Sequence, residues 1–270
     1  MPRAMLRTGV LLLLATTAPG CSLLPLHLGR QHVAAASGAD DVAAARRAFR
    51  QRRWTVAITH AERAVQIDGN DGDRRALLGI AYLRAGRFRS AAQAFADTLA
   101  LRQADGATAL HLTLALIASG QNAAALDALS RYAALMPSAD RGLALALAGQ
   151  PARGVEVLMA AMRVPGADAR TRQNLALALA LAGEWPDAYF LVGLDLPPAQ
   201  ARQRILDWMR FARPAGAADQ VAALLKVAAA AADPGLPVAL ALRPAEPAGE
   251  GAVTAALAGV TSSRLPPSPR

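Results

Sequence analysis

Cysteine is almost missing from these 270 residues, with Cys21 the only one. No disulfide can form within the chain. With four histidines in all, no Cys/His set at zinc-ligand spacing is found either. His27 and His32 lie five apart with no third ligand nearby, and His60-Ala61-Glu62 has no second His at helical spacing. His111 stands alone on a helical stretch and reads as a partly buried structural side chain. Aromatics are 4% of the chain against a hydrophobic content of 54%. Ala and Leu must therefore build the interior, which favours helices packed closely through small side chains. Lysine is rarer still: Lys226 is the only one among 29 basic residues.

Catalytic constellations are missing too. There is no Ser-His-Asp set, no phosphate loop and no isolated pair of carboxylates. DGNDGD at 68–73 superficially resembles a calcium loop. Counted from Asp68, however, position six is Asp73 where Gly is needed and position twelve is Gly79 where Glu is needed. It reads instead as a turn whose acids cap the next helix. These absences point away from an enzyme, and no cofactor, metal or small-molecule substrate is expected.

What is present is repetition. In 72–105, Leu78 and Tyr82 are four apart, as are Ala91, Phe95 and Leu99, giving two apolar stripes at helical spacing around a turn at Gly86. Gly79 and Ala91 supply the missing bulk that lets two helices approach, with Tyr82, Phe88 and Phe95 on the flanks. These offsets match the tetratricopeptide pattern, whose period is about 34 residues. A shift of one period backwards sets Ala45 under Gly79, Trp54 under Phe88, Ala57 under Ala91 and Ala64 under Thr98. A shift forwards sets Leu112 under Leu78, Gly120 under Gly86 and Ala125 under Ala91. Turn glycines recur at Gly86, Gly120, Gly149 and Gly183; the middle interval is five residues short, so the fourth unit should have a clipped first helix near 138–148. The fold expected is all-α: a right-handed tetratricopeptide-repeat solenoid of about five helix pairs over residues 39–213.

The flanks differ in composition. Residues 1–21 read as an export signal, with Arg3 and Arg7 ahead of an apolar stretch, Val10–Ala18, that is too short to span a membrane. APGC resembles a bacterial lipobox and makes Cys21 the candidate acylated residue; the alternative is a secretory signal cut after Ala18. Residues 22–38 read as a tether. Residues 214–232 read as a short helix, with Val221, Leu224, Leu225 and Ala228 along one side, and the Pro-rich residues 233–270 as a disordered tail.

Net charge is +9 and the pI about 11.1. Such a balance would suggest nucleic acid, but an exported protein would not meet it. Residues 1–53 carry eight arginines against Asp40 and Asp41, which suits an anionic membrane close by. RRAFRQRR at 46–53 is either the wetted face of a capping helix or a patch for anionic headgroups or an acidic partner.

The block 171–209 contains RQNLALALALAG, GEWPDA and DLPPAQA. It resembles the C-terminal part of TadD-type lipoproteins, the tetratricopeptide components of the Tad/Flp pilus machinery. With the export signal and the repeats, that resemblance covers about 1–213. It implies a lipoprotein on the periplasmic face of the outer membrane that assists pilus assembly or secretion through protein partners, a secretin among them. Soluble periplasmic residence and a general role in outer-membrane or peptidoglycan machinery are the alternatives. It implies no catalytic residues, and only Cys21 carries over.

In this fold the first helix of each unit lines the concave side. The repeat register puts Ile80, Leu83 and Arg84 there from the second unit, and Leu110, Leu114 and Ile117 from the third. Arg170, Gln173, Asn174 and Leu177 follow from the fifth. That groove suits an amphipathic helix, and the 217–232 segment, with no other evident burial site, is expected to fold back into it.

Overall fold

A computed structural model of the chain describes residues 28–101, 104–212 and 217–242, with the side chains of 28–37, 217 and 218 outside the description. The export signal, Cys21, the side chain of His32 and residues 243–270 therefore lie outside it.

Five antiparallel helix pairs follow one another. They are α1 (Leu28–Arg50) with α2 (Trp54–Ile67), α3 (Gly72–Arg84) with α4 (Phe88–Leu101), and α5 (Gly106–Ala118) with α6 (Asn122–Arg131). α7 (Ser138–Leu147) pairs with α8 (Pro151–Met162), and α9 (Ala169–Ala182) with α10 (Trp185–Gly193). α11 (Pro198–Ala212) packs on α9 and α10, and α12 (Ala217–Leu225) follows. This is a tetratricopeptide-type helical solenoid. Each helix packs on its partner and on the next pair, because a single pair leaves one apolar face uncovered.

The repeat equivalences hold at the level of packing. Ala45, Ala57, Ala64, Leu78, Ala91, Thr98, Leu112 and Ala125 are all buried. Inside the second unit, Gly79 faces the fully buried Phe95; a Cβ added there would lie 2.8 Å from the ring. The four turn glycines sit in the left-handed region, at φ +72°, +75°, +88° and +89°, where a Cβ is disfavoured. First helices are closed by aspartates. Asp71 accepts from the Asp73 and Arg74 amides, Asp105 from Thr108, and Asp168 from Thr171, satisfying amides that a helix start leaves unpaired. DGNDGD thus serves as a turn and cap.

The clipped first helix expected in the fourth unit is present as α7, with 10 residues, and α6 of the third unit, also 10 residues long, shares the shortfall between Gly120 and Gly149. Two expectations are corrected. The tether ends earlier than 38, since α1 begins at Leu28 and continues unbroken into the first repeat. The C-terminal helix stops at Leu225 rather than 232. Lys226 adopts φ +53°, and the Val227 amide donates back to Ala222 O at 2.9 Å, the six-to-one bond that closes a helix.

Gly79→Ala is expected to destabilise the solenoid. The substitution raises helix propensity by about 1 kcal/mol, but overpacking against a ring that cannot withdraw costs about 1–3 kcal/mol. Chemical denaturation should show a net loss of up to about 2 kcal/mol; a gain would mean the seam has slack.

Candidate functional site

The first helices of the third and fourth units present an apolar face, and α12 lies against it, touching α5 and α7. Val221 is fully buried and Ala222 nearly so, while Leu224 is exposed. The buried edge of α12 is thus Val221, Ala222 and the half-buried Leu225, a narrower stripe than the four residues expected. Both buried residues belong to the cluster that holds Leu83, Leu112, Ala115 and Ile117. The chain fills its own concave face.

After Leu225 the chain turns and runs as an irregular segment over the second unit. Lys226 is exposed and Val227 half-buried, and the Ala230 amide donates to Gly86 O at 3.1 Å. A Cβ on Gly86 would strike Ala228 O, so this glycine is needed for the turn and again for the crossing. Asp233 then reaches the start of α4. Its Oδ2 accepts from the Arg89 amide at 2.6 Å and the Ser90 amide at 3.1 Å, and its Oδ1 from Ser90 Oγ at 2.5 Å. Arg87 Nε stands 3.7 Å from Oδ1. Burial works to raise the Asp233 pKa, but these donors outweigh it and hold the carboxyl below its usual range. An N-cap has been supplied from about 140 residues away along the chain.

The segment continues beside α4. The Leu236 amide donates to Gln93 Oε1 at 2.5 Å. Leu240, in a short 3₁₀ turn at Val238–Leu240 that touches α2, is buried. Its carbonyl accepts from Arg75 Nη1 at 2.8 Å, and the same nitrogen donates to Asp97 Oδ2 at 2.6 Å. Arg75 is 2% exposed, so the ion pair and the Gly69 carbonyl at 2.6 Å answer an otherwise costly buried charge. Burial pushes the Asp97 carboxyl above its usual range, against the pull of Arg75. Residues 233–242 are therefore held at Asp233, Gly235, Leu236 and Leu240, where disorder was expected from 233 onward.

The groove residues named from the register divide into three groups. Ile80, Leu110 and Leu114 are half-buried against the cluster that includes α12. Leu83, Ile117 and Leu177 are buried, and their assignment as open contact residues is corrected. In the fifth unit the polar set ties the fold together. Arg170 pairs with Asp140, and Asn174 Nδ2 donates to Ala139 O at 3.0 Å. Gln173 donates to Asp195 and accepts from Arg204. Arg84 stays exposed and donates to Leu225 O at 3.3 Å. The register could place these residues but could not reveal partners that arrive from α7, α11 and the C-terminal segment.

His111 stacks on Phe95 with centroids 5.3 Å apart, and burial lowers its pKa, with Arg84 adding to the effect. It is a structural side chain. His60 pairs with Asp41 at 2.7 Å. Among the described residues no group of three or more His, Cys, Asp or Glu could hold a metal ion. No described helix is long and apolar enough to cross a membrane.

The chain matches no protein-family model and no curated protein. Among solved structures it is similar to a MamA crystal structure, at 18% identity over 64% of this chain and 92% of that one, with a TM-score of 0.48. A MamA fragment from Desulfovibrio magneticus RS-1 gives 18% identity, 66% and 98% coverage and 0.48. YrrB, titled a TPR protein with an unusual peptide-binding site, gives 19%, 55%, 79% and 0.43.

Gly86→Ala and Gly120→Ala form a matched pair. Both carry the same left-handed strain, about 1–2 kcal/mol for a residue with a Cβ, but only Gly86 is crossed by the C-terminal segment; nothing lies within 4 Å of a Cβ at Gly120. Amide exchange across 226–242 should rise in Gly86→Ala alone. Acid should act similarly. A carboxyl whose folded pKa is lowered contributes stability above its unfolded value, near 4, and that contribution is lost as pH falls through the folded one. Protection of the Arg89 and Ser90 amides should therefore drop selectively below about pH 4, and Asp233→Ala should lose about 1 kcal/mol and abolish that pH dependence.

Proposed function

We propose that the chain is a lipid-anchored interaction scaffold of the cell envelope, held at the periplasmic face of the outer membrane through Cys21. There it assists assembly of a Tad/Flp-type pilus or its secretion complex. The observation that carries the scaffold reading is the occupied groove. A concave face that takes α12 through one narrow apolar edge is shaped for a short amphipathic helix, and a partner presenting such a helix would compete with α12. The address and the machinery are supported by APGC at the signal end and by the RQNLALALALAG and DLPPAQA blocks.

Binding follows the two states of the C-terminal segment. A partner engages the open state, so its apparent affinity falls by the fraction of molecules that are open. Val221 is buried in the closed state, and a carboxylate there has no partner that would make its burial tolerable. Val221→Asp should open the groove and leave the solenoid folded.

Co-purification from detergent-solubilised envelopes tests the reading. Val221→Asp is expected to enrich pilin-assembly and secretin proteins over the wild type, and Cys21→Ser to move the chain into the soluble periplasmic fraction. Recovery of outer-membrane or peptidoglycan-synthesis proteins instead would overturn the pilus assignment, and no change in fractionation would overturn the anchor.

A further inference from the structure

A cavity of about 680 Å³ opens where the first repeat meets the C-terminal segment. Its walls come from the end of α1 (Phe49, Arg50), the following turn (Arg52), the start of α2 (Trp54) and the end of α3 (Arg84, Ala85). Leu225, Lys226, Val227 and Ala228 close it. Four cations line it and no carboxylate does. Among the described residues none of the four is in an ion pair, and the only hydrogen bond made by one of their side chains is from Arg84 to the Leu225 carbonyl. Phe49 and Trp54 meet edge to face, with centroids 5.2 Å apart, and give the cavity an aromatic side.

A purely structural role for these charges is to offset helix ends. α1, α3 and α12 all finish here, and each C-terminus carries roughly half a negative charge. Three such ends answer about one and a half positive charges out of four. An excess of roughly two or more remains. Two of the four also hold unfavourable backbone. Arg52 and Lys226, at φ +56° and +53°, are the only non-glycine residues of the described chain in the left-handed region, and both face this one cavity. In the repeat register Arg52 stands where the later units have glycine, which would turn the chain without strain. Both residues close helices, with Arg53 N donating to Ala48 O as Val227 N does to Ala222 O, and the two closures bring both cations to this one cavity.

We propose that this cavity binds a phosphate-bearing ligand. The forked guanidinium groups of Arg50, Arg52 and Arg84 match phosphate oxygens, and Lys226 adds a point charge. The volume is that of a small-molecule site, and the aromatic side receives the body that carries the phosphate. Because Leu225–Ala228 form one wall, the ligand binds the docked arrangement of the C-terminal segment and stabilises it by linkage.

Pyrophosphate is the soluble probe and anionic-phospholipid vesicles are the membrane probe, with neutral phosphatidylcholine vesicles as the blank. Both are titrated into the full chain at low ionic strength. The test variant is Arg52→Gly/Lys226→Gly, which removes two charges and is free of backbone strain. The control, Arg163→Ala/Arg202→Ala, removes two exposed charges elsewhere. The wild type and the control should bind pyrophosphate alike, and the test variant at least ten-fold more weakly. Its melting temperature should be unchanged or higher, and its Arg89 and Ser90 amides still protected. Pyrophosphate should slow amide exchange across 226–242 in the wild type. Binding of anionic vesicles without pyrophosphate would identify a lipid headgroup as the phosphate source, and binding of pyrophosphate alone a soluble ligand. Equal loss in test and control variants, no loss in the test variant, or no binding of either probe would overturn the proposal.

Discussion

Two helices can run side by side in this chain only where the seam between them carries almost no side chain. With aromatics at 4%, large rings cannot fill a wide interface, so the interface has to be narrow. Ala57, Ala61, Ala81, Ala91, Ala94, Ala109, Ala115 and Ala125 are at most 1% exposed. At Gly79 the approach is close enough that even a methyl is excluded. The bulky groups are few and placed at the flanks of these seams. Tyr82 and Phe95 are the largest fully buried side chains; Tyr82 OH donates to Glu62 at 2.6 Å, and Arg87 lies over its ring at 4.5 Å. Burial, with Glu62 reinforcing it, raises the Tyr82 pKa and leaves the phenol a donor throughout the physiological range. One polar handle thus joins the first repeat to the second.

Close seams have a consequence at the turns. Helices that nearly touch must be joined in very few residues, and the tightest closure puts one residue in the left-handed region. Glycine takes that place at four turns, and Arg52 takes it at the first. The fourfold ladder was legible because glycine announces itself in a sequence. The fifth rung was not, since an arginine in the same backbone state looks like any other surface arginine. The aspartate caps were legible for the same local reason: an acid directly before a periodic apolar run has one common use. The clipped fourth unit was half legible. The glycine interval gives the total of residues lost and says nothing about how α6 and α7 share the loss.

The path of 226–242 was beyond local reading. Five alanines at 228–232 have the highest helix propensity available, yet they form no helix. Tertiary contacts override propensity at both ends of the run. The Ala230 amide is taken by Gly86 O and the carboxylate of Asp233 by the amides of α4. A run that would be helical alone but is held out of a helix by a few polar contacts marks a local conflict between levels. Such conflicts concentrate where a protein has to change state. The groove residues show the complementary limit. Spacing assigns Leu83, Ile117 and Leu177 to a face, but whether that face meets solvent depends on what else the chain lays over it.

These two limits bear on one another. The helix that lies on α5 and α7 and the irregular segment that fastens it share the joint at Leu225–Lys226. Release of Asp233 removes a cap worth about 1 kcal/mol. Exposure of Val221 and Leu240 costs about 1.5–3 kcal/mol each. Opening is thus disfavoured by several kcal/mol, enough to keep the segment docked in most molecules. The segment also has the advantage of tethering, which holds it at an effective concentration of order millimolar. A free peptide at micromolar concentration cannot match that by mass action, so it must bind more tightly than α12 does with its narrow edge of Val221, Ala222 and Leu225. If the groove takes a partner helix as proposed, the thinness of that edge sets the competition: a broader apolar face on α12 would favour the closed state further, and a polar one would favour the open state.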